Sequence, residues 1–310
     1  MVFSTTTVSD AVRRAGMRIP EQVIDQLVAS IDAGKHVILT GPPGTGKTTL
    51  SFLTAEVAQQ AMLCTGFLPT TATTEWTTFE TIGGFQPSSE GLLFRPGMFV
   101  EALDSGRWLV IDELNRSNFD RAFGQLFTVL SGQSAVLPFK RAGRSDPVAL
   151  VPAGVTPPPE TDVIRVPASW RIIATMNVFD KNLLFEMSYA LMRRFAFVEV
   201  TSPAHEVFEE LLEPHHDVVT DLLLLRRFRD LGPAVYLDAA RFADRRARDD
   251  VTRSRLLYET FYSYFLPQLE GADDYEATSL YRTISPMLDE PEQVELRRTV
   301  ADVLGVELAL

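Results

Sequence analysis

The sequence predicts an α/β fold in which a parallel sheet flanked by helices is followed by a small all-helical domain. Three observations point to it. Val37-Ile38-Leu39 runs into a glycine-rich turn and then into a helix from Lys47 that aligns Leu50, Leu53, Val57 and Ala61; strand, loop and helix in that order form the unit from which parallel sheets grow. A second such unit follows, with Trp108 to Ile111 as a buried strand and Phe119, Phe123, Leu126, Phe127 and Leu130 marking a helix. From Pro203 onward the apolar residues recur only at helical spacing, through Val207, Leu211 and Leu212, the run Leu222 to Leu225, and the face Leu257, Phe261, Tyr264 and Phe265.

The remaining elements fall into place around these. Val23, Ile24, Leu27, Val28 and Ile31 recur at three- and four-residue spacing, which predicts a helix between Ile19 and Lys35 that Gly34 ends. Arg171 to Thr175 and Phe195 to Val200 supply further strands. The boundary is expected near Ser202, giving an α/β domain over 1–201 and a helical domain over 202–310. Residues 138–167 hold Gly143, Gly154 and the run Pro157-Pro158-Pro159, too many breakers for a helix. An exposed excursion is expected there, a hairpin with a stiff proline tip.

Composition removes several classes of function. With 310 residues, 45% of them hydrophobic, the chain can bury a large core, which excludes a disordered tail, a collagen-like fibre or a disulfide mini-protein. Its 29 basic and 41 acidic residues give a net charge of −12, the wrong sign for holding nucleic acid through the overall field. Contact with DNA or RNA is then local, through a pore, or lent by a partner. One cysteine, Cys64, cannot form an internal disulfide or a thiolate cage and reads as a small buried apolar residue in a reducing compartment. No stretch has the length of a membrane span or the apolar core of an export signal, so no membrane association and a cytoplasmic location are expected. His215-His216 has no Cys, His or Asp set at metal spacing beside it and reads as a loop feature.

Two motifs carry chemistry. Gly41-Pro42-Pro43-Gly44-Thr45-Gly46-Lys47-Thr48, continuing into Thr49, fits the phosphate-binding loop pattern of glycine, four residues, then Gly-Lys-Thr. Glycines let backbone N–H groups turn toward phosphate oxygens, the following helix offers its positive end, Lys47 reaches the terminal phosphates and the Thr48 hydroxyl is suited to Mg²⁺. Downstream, Trp108-Leu109-Val110-Ile111 ends in the adjacent acids Asp112 and Glu113. Successive strand side chains alternate in direction, so the two acids take different tasks: Asp112 the magnesium shell, through water, and Glu113 the polarisation of an attacking water.

With both motifs in hand, the sequence resembles an AAA+ ATPase over nearly its whole length. Ile111-Asp112-Glu113-Leu114-Asn115-Arg116 resembles the Walker B form of the MoxR and McrB branches of the helix-2-insert group, with Leu114 in place of the usual isoleucine. Trp170 to Asn177, preceded by Val166-Pro167, is similar to the McrB-type segment ending in Thr-Met-Asn, and the resemblance makes Asn177 the sensor 1 residue. Ala190-Leu191-Met192-Arg193-Arg194-Phe195 resembles the same branch's stretch, with Met192 where those chains often carry a third arginine. The matching arginine finger, which projects into a neighbouring subunit's site, is Arg194, with Arg193 as second candidate. Residues 79–103 look like the group's insert, a hairpin interrupting the second helix and facing the ring's centre, and 138–167 would correspond to the hairpin before sensor 1. In the helical region Arg241 is the candidate sensor 2 residue. Its companions Arg245, Arg246, Arg248, Arg253 and Arg255 alternate with Asp238, Asp244, Asp249 and Asp250 and read as a self-paired, solvated face.

The resemblance implies a Mg²⁺-dependent nucleoside triphosphatase, using ATP or GTP, that forms a homo-oligomeric ring, by expectation a hexamer. The 310 residues are accounted for by one such module, so target reading and cutting are expected on a separate partner. A McrB-like motor implies a nuclease or defence-system component as that partner; a MoxR-like one implies a chaperone maturing a protein with a von Willebrand A domain. Thr175-Met176-Asn177 and Arg193-Arg194-Phe195 favour the first. From a different class, a nucleotide-dependent switch or scaffold would turn over little, against which Glu113 and Asn177 stand. A small-molecule kinase needs neither a trans arginine nor a helical lid of about a hundred residues. Arg95, Lys140, Arg141 and Arg144 place positive charge in the expected pore-facing insertions.

Overall fold

The computed structural model describes residues 1–88, 91–124, 126–141, 143–177 and 192–308. Two compact units divide it, one of Met1–Gly41 with Lys47–Val200 and the other of Pro42–Gly46 with Thr201–Leu310.

At the centre of the first unit is a parallel sheet of β1 (His36–Gly41), β2 (Phe67–Thr71), β5 (Trp108–Asp112), β9 (Ile172–Asn177) and β10 (Phe195–Glu199), in the order β10-β1-β9-β5-β2. Apolar runs make the inner strands: Val37, Ile38 and Leu39, Leu109, Val110 and Ile111, and Ile172, Ile173 and Ala174 are all inaccessible to solvent, as expected of strands covered on both faces. β2 was not evident in the sequence. It lies on the edge, half-exposed and interrupted by Pro69, a residue that edges tolerate because one side of the strand needs no donor. Helices α1 (Thr5–Arg14), α2 (Glu21–Asp32) and α3 (Lys47–Gln60) accompany the sheet. In α1 the Ser4 and Thr7 side chains form a capping box, while Val8, Ala11 and Val12 are buried; the Thr5-Thr6-Thr7 start conceals this helix from propensity reasoning.

Between β2 and β5, short helices α4 (Thr78–Thr81) and α5 (Met98–Asp104) flank an antiparallel hairpin of β3 (Gly83–Ser88) and β4 (Gly91–Pro96). The helix expected over 119–130 is two short ones, α6 (Phe119–Phe123) and α7 (Leu126–Leu130), separated at Gly124, whose φ of −5° and ψ of −83° lie outside helical geometry. The 138–167 excursion also differs from expectation. It is a three-stranded sheet in which β6 (Ala135–Lys140) pairs antiparallel with β7 (Pro147–Pro152) and β7 pairs parallel with β8 (Asp162–Val166). Pro157-Pro158-Pro159 lies in the β7–β8 connection, not at a hairpin tip. Nor is the segment simply exposed, for Val148, Leu150 and Ile164 join the main core. Phe94 of the first hairpin stacks on Phe139 of β6 at 4.5 Å, with Phe85 edge-on to both. Arg141 is held by Asp104 (3.0 Å) and by Asp162, which removes it from the basic residues free to meet a substrate.

His36 opens β1 in an apolar setting, edge-on to Trp170 and tilted against Phe195. Its Nδ1 accepts a hydrogen bond from the Ile172 N–H at 3.0 Å. Burial, followed by the charges of Arg171, Arg194 and Lys35, pushes its pKa down to about 3. The unfolded chain protonates this imidazole near 6.5 and the folded one does not, so stability is present above pH 6.5 and drains away as pH falls toward 3. Between pH 7 and 5 the group is expected to remove about 2 kcal/mol. In denaturant titrations, His36→Asn, which keeps an acceptor for Ile172, should lose less stability over this interval by that amount; parallel pH profiles for the two proteins would contradict the assignment.

The second unit has its own core. Phe208, Leu222, Tyr236, Leu257, Phe261 and Phe265 lead a cluster contributed by α8 (His205–Leu212), α9 (Val218–Asp221), α10 (Pro233–Arg246), α11 (Arg253–Thr260), α12 (Asp274–Ile284) and α13 (Glu290–Leu304) with the turns between them. The arginine-rich face is paired, but only in part with the interleaved aspartates: Arg245 meets Asp249 at 3.1 Å, whereas Arg246 and Arg255 share Glu259 at 2.8 Å each, Arg253 meets Asp217 at 3.3 Å, and Asp244 pairs with His215 at 2.7 Å. No helix among the described residues is long and apolar enough to cross a membrane.

Candidate nucleotide site

Parallel strands place all their carboxyl ends on one edge of a sheet, where ligands of open α/β sheets bind. Here that edge gathers the start of the phosphate-binding loop at Gly41, the acids at the end of β5, and Asn177, which lies in register with Gly41. Within the loop, Gly44 and Gly46 have φ of +77° and +87°, a conformation that a side chain would strain. The Thr45 hydroxyl donates to Pro42 O at 3.0 Å and closes the turn.

Lys47 begins α3 and is buried, its Nζ donating to Gly41 O at 2.8 Å. Burial lowers its pKa to about 8, against the opposing pull of Asp112 and Glu113. Such a lysine is half neutral at pH 8 and would become fully charged if phosphate oxygens surrounded it, so nucleotide binding above that pH would take up a proton. The association constant for nucleotide should fall by up to tenfold per pH unit between about 8 and 10. Calorimetry in buffers of different ionisation enthalpy measures the proton directly; uptake of none at pH 9 would contradict this.

Thr48 and Asp112 are in direct contact, the hydroxyl donating to Asp112 Oδ1 at 2.7 Å. A third residue joins them that sequence reasoning had left without a role. The Thr175 hydroxyl donates to the same Oδ1 at 2.5 Å and accepts the Glu113 N–H at 3.0 Å. The available signal was a lone hydroxyl in an otherwise apolar strand, Ile172-Ile173-Ala174-Thr175-Met176. Glu113 itself has φ 52° and ψ 48°, the left-handed region that non-glycine residues adopt at a cost of about 1–2 kcal/mol. Its carboxylate pairs with Arg116 at 2.6 Å. The oxygen donors of Thr48 and Asp112 suit Mg²⁺, which is commonly bound by one or two carboxylates, waters and phosphates.

Arg193 and Arg194 are placed elsewhere. Both are exposed and immediately precede β10, where Phe195 lies in register with His36, the first residue of β1. Lys35 Nζ donates to Arg193 O at 2.8 Å and the His36 N–H to Arg194 O at 3.1 Å. The backbone of both arginines is thus tied to the amino end of β1, while the phosphate-binding loop leaves its carboxyl end, roughly 17 Å away along the strand. Ala190 and Leu191, part of the same motif, lie outside the described residues. Arg241 is exposed on α10 and paired with Asp238 of its own helix.

The model for the AAA domain (dynein-related subfamily) matches residues 36–195, from the first residue of β1 to the first of β10. The chain belongs to this AAA family. The matched span contains the loop, Asp112, Glu113, Asn177, Arg193 and Arg194. Over 196 residues the chain is 28% identical to the EcoKMcrB subunit of the type IV methyl-directed restriction enzyme of Escherichia coli (strain K12), covering 59% of this chain and 39% of that protein. The chain therefore spans about two fifths of that relative's length. An uncharacterised protein of Staphylococcus saprophyticus is 22% identical over 204 residues, 66% of this chain and 70% of that one. Among solved structures, NtrX from Brucella abortus superposes with a TM-score of 0.50 at 18% identity, over 97% of this chain and 69% of that one. That likeness is one of fold, the AAA α/β sheet followed by helices.

Proposed function

We propose that this AAA chain is a Mg²⁺-dependent nucleoside triphosphatase, acting on ATP or GTP, that assembles into a ring, by expectation hexameric, and powers a separate partner. In this reading Gly41 to Thr49 cradle the phosphates and Lys47 reaches the terminal ones. Thr48 and Asp112 hold the metal, which when bound neutralises charge on the phosphates. Glu113 accepts the proton of the attacking water, and Asn177 orients that water without adding charge. Arg194, or Arg193 beside it, neutralises charge in a neighbour's site.

The observation that carries the oligomeric part is the separation along β1. The backbone of the arginines lies at the amino edge of the sheet and the acids at its carboxyl edge, which supports a finger that acts on a neighbour's phosphates rather than its own. Similarity to the EcoKMcrB subunit supports a nuclease or defence-system component as partner over a von Willebrand A protein. One contact favours a second reading, a low-turnover switch: Arg116 occupies the Glu113 carboxylate.

Phosphate release from ATP and GTP with Mg²⁺, combined with light scattering with and without a non-hydrolysed analogue, tests the proposal. Multiple turnovers per chain and nucleotide-dependent assembly are expected. A monomer that binds nucleotide without turnover would leave the switch.

A further inference from the structure

We infer that Thr175 is a positioning residue for nucleotide hydrolysis, its single hydroxyl setting both acids of the site; the inference rests on the nucleotidase reading above. The chemistry of the partners fixes each role. A carboxylate only accepts, so the hydroxyl proton points to Asp112 Oδ1 at 2.5 Å; a backbone N–H only donates, so a lone pair faces Glu113 at 3.0 Å. Both capacities of one rotor are thereby used, in a side chain almost wholly buried on the central strand β9.

What this hydroxyl replaces shows why it matters. The β5–β9 pairing runs through Leu109, Val110 and Ile111 against Ile172, Ile173 and Ala174. At Glu113 the chain turns into the left-handed region and its N–H is taken by the Thr175 side chain. The turn that aims the Glu113 side chain is therefore pinned by the same group that fixes the Asp112 rotamer. The bond to Asp112 is charge-assisted and short. Thr48, the other hydroxyl on Oδ1, belongs to the residues suited to the metal, whereas Thr175 has no second task. Without its hydroxyl, Asp112 keeps one hydroxyl partner and the Glu113 turn loses its anchor, a misplacement of the base rather than its removal.

The test compares steady-state hydrolysis and nucleotide affinity for the full chain, Thr175→Val, Thr175→Ser and Glu113→Gln. Thr175→Val keeps the shape and drops the hydroxyl; it should bind nucleotide within about threefold of wild type while kcat falls about 10- to 100-fold. Thr175→Ser restores the hydroxyl and should recover kcat to within about threefold, which a role confined to packing would not produce. If valine does not fold, Thr175→Ala, which leaves room for a water, is read in its place. Wild-type kcat in the valine variant, or a serine variant as slow as the valine one, would overturn the inference while leaving the nucleotidase reading intact. A wild-type chain with no hydrolysis at all overturns that reading and this inference together.

Discussion

Glu113→Gln is expected to lower nucleotide turnover about 10²- to 10⁴-fold, the range a general base contributes, while nucleotide affinity stays within about twofold. The substitution is close to isosteric, and its amide oxygen still accepts from Arg116, which now holds the carboxylate at 2.6 Å. The backbone turn at φ 52° is anchored through the N–H to Thr175, so the side chain leaves β5 in the same direction. Only the capacity to take a proton from water is lost. Nucleotide should consequently remain trapped, which rapid filtration of a radiolabelled triphosphate would show. Turnover within threefold of wild type would sink the assignment of Glu113 as the base.

A second large effect concerns the arginines. Arg194→Ala should bind nucleotide normally and hydrolyse it about 10³- to 10⁵-fold more slowly, the contribution of an arginine finger. The stronger test is a mixture. In a ring, a subunit with Arg194→Ala keeps a complete loop and both acids, and a Glu113→Gln neighbour still carries Arg194. Mixing these two inactive proteins should restore part of the activity, because some sites then receive an intact base from one chain and an intact arginine from the next. Two cis-acting defects cannot complement each other in this way. A mixture as inactive as its components would remove the trans role; restored activity with Arg193→Ala fully active alone would settle which of the adjacent pair is the finger.

Much of this arrangement was legible in the residues. The loop from Gly41 to Thr48, the buried strand ending in Asp112 and Glu113, and the strand ending in Asn177 each carry a local signature, since apolar runs and glycine spacing depend only on near neighbours along the chain. What escaped depends on contacts distant in sequence. β2 is held by its parallel pairing with β5 despite Pro69. The helical period across Phe119 to Leu130 is apolar enough for one helix, yet the backbone at Gly124 breaks it. β7 and β8 form a sheet because Val148, Leu150 and Ile164 find the main core, a fact that proline counting over 138–167 could not register. Thr175 belongs to the Thr-Met-Asn segment, but its contacts with Asp112 and Glu113 arise only because β5 and β9 lie side by side.

The stack of Phe94 on Phe139 has a mechanical meaning. It joins the β3–β4 hairpin to the β6–β8 sheet through stacked rings whose centroids lie 4.5 Å apart. β8 ends at Val166 and β9 begins at Ile172, and β9 carries Thr175 and Asn177 to the carboxyl edge of the sheet. Phe85 and Leu92 of the hairpin are exposed, and the path from them to Thr175 and Asn177 runs through one aromatic junction, the two strand pairings β6–β7 and β7–β8, and a single stretch of backbone. Under the proposed function, a pull on the hairpin and the response of the nucleotide site would be two ends of the same linkage.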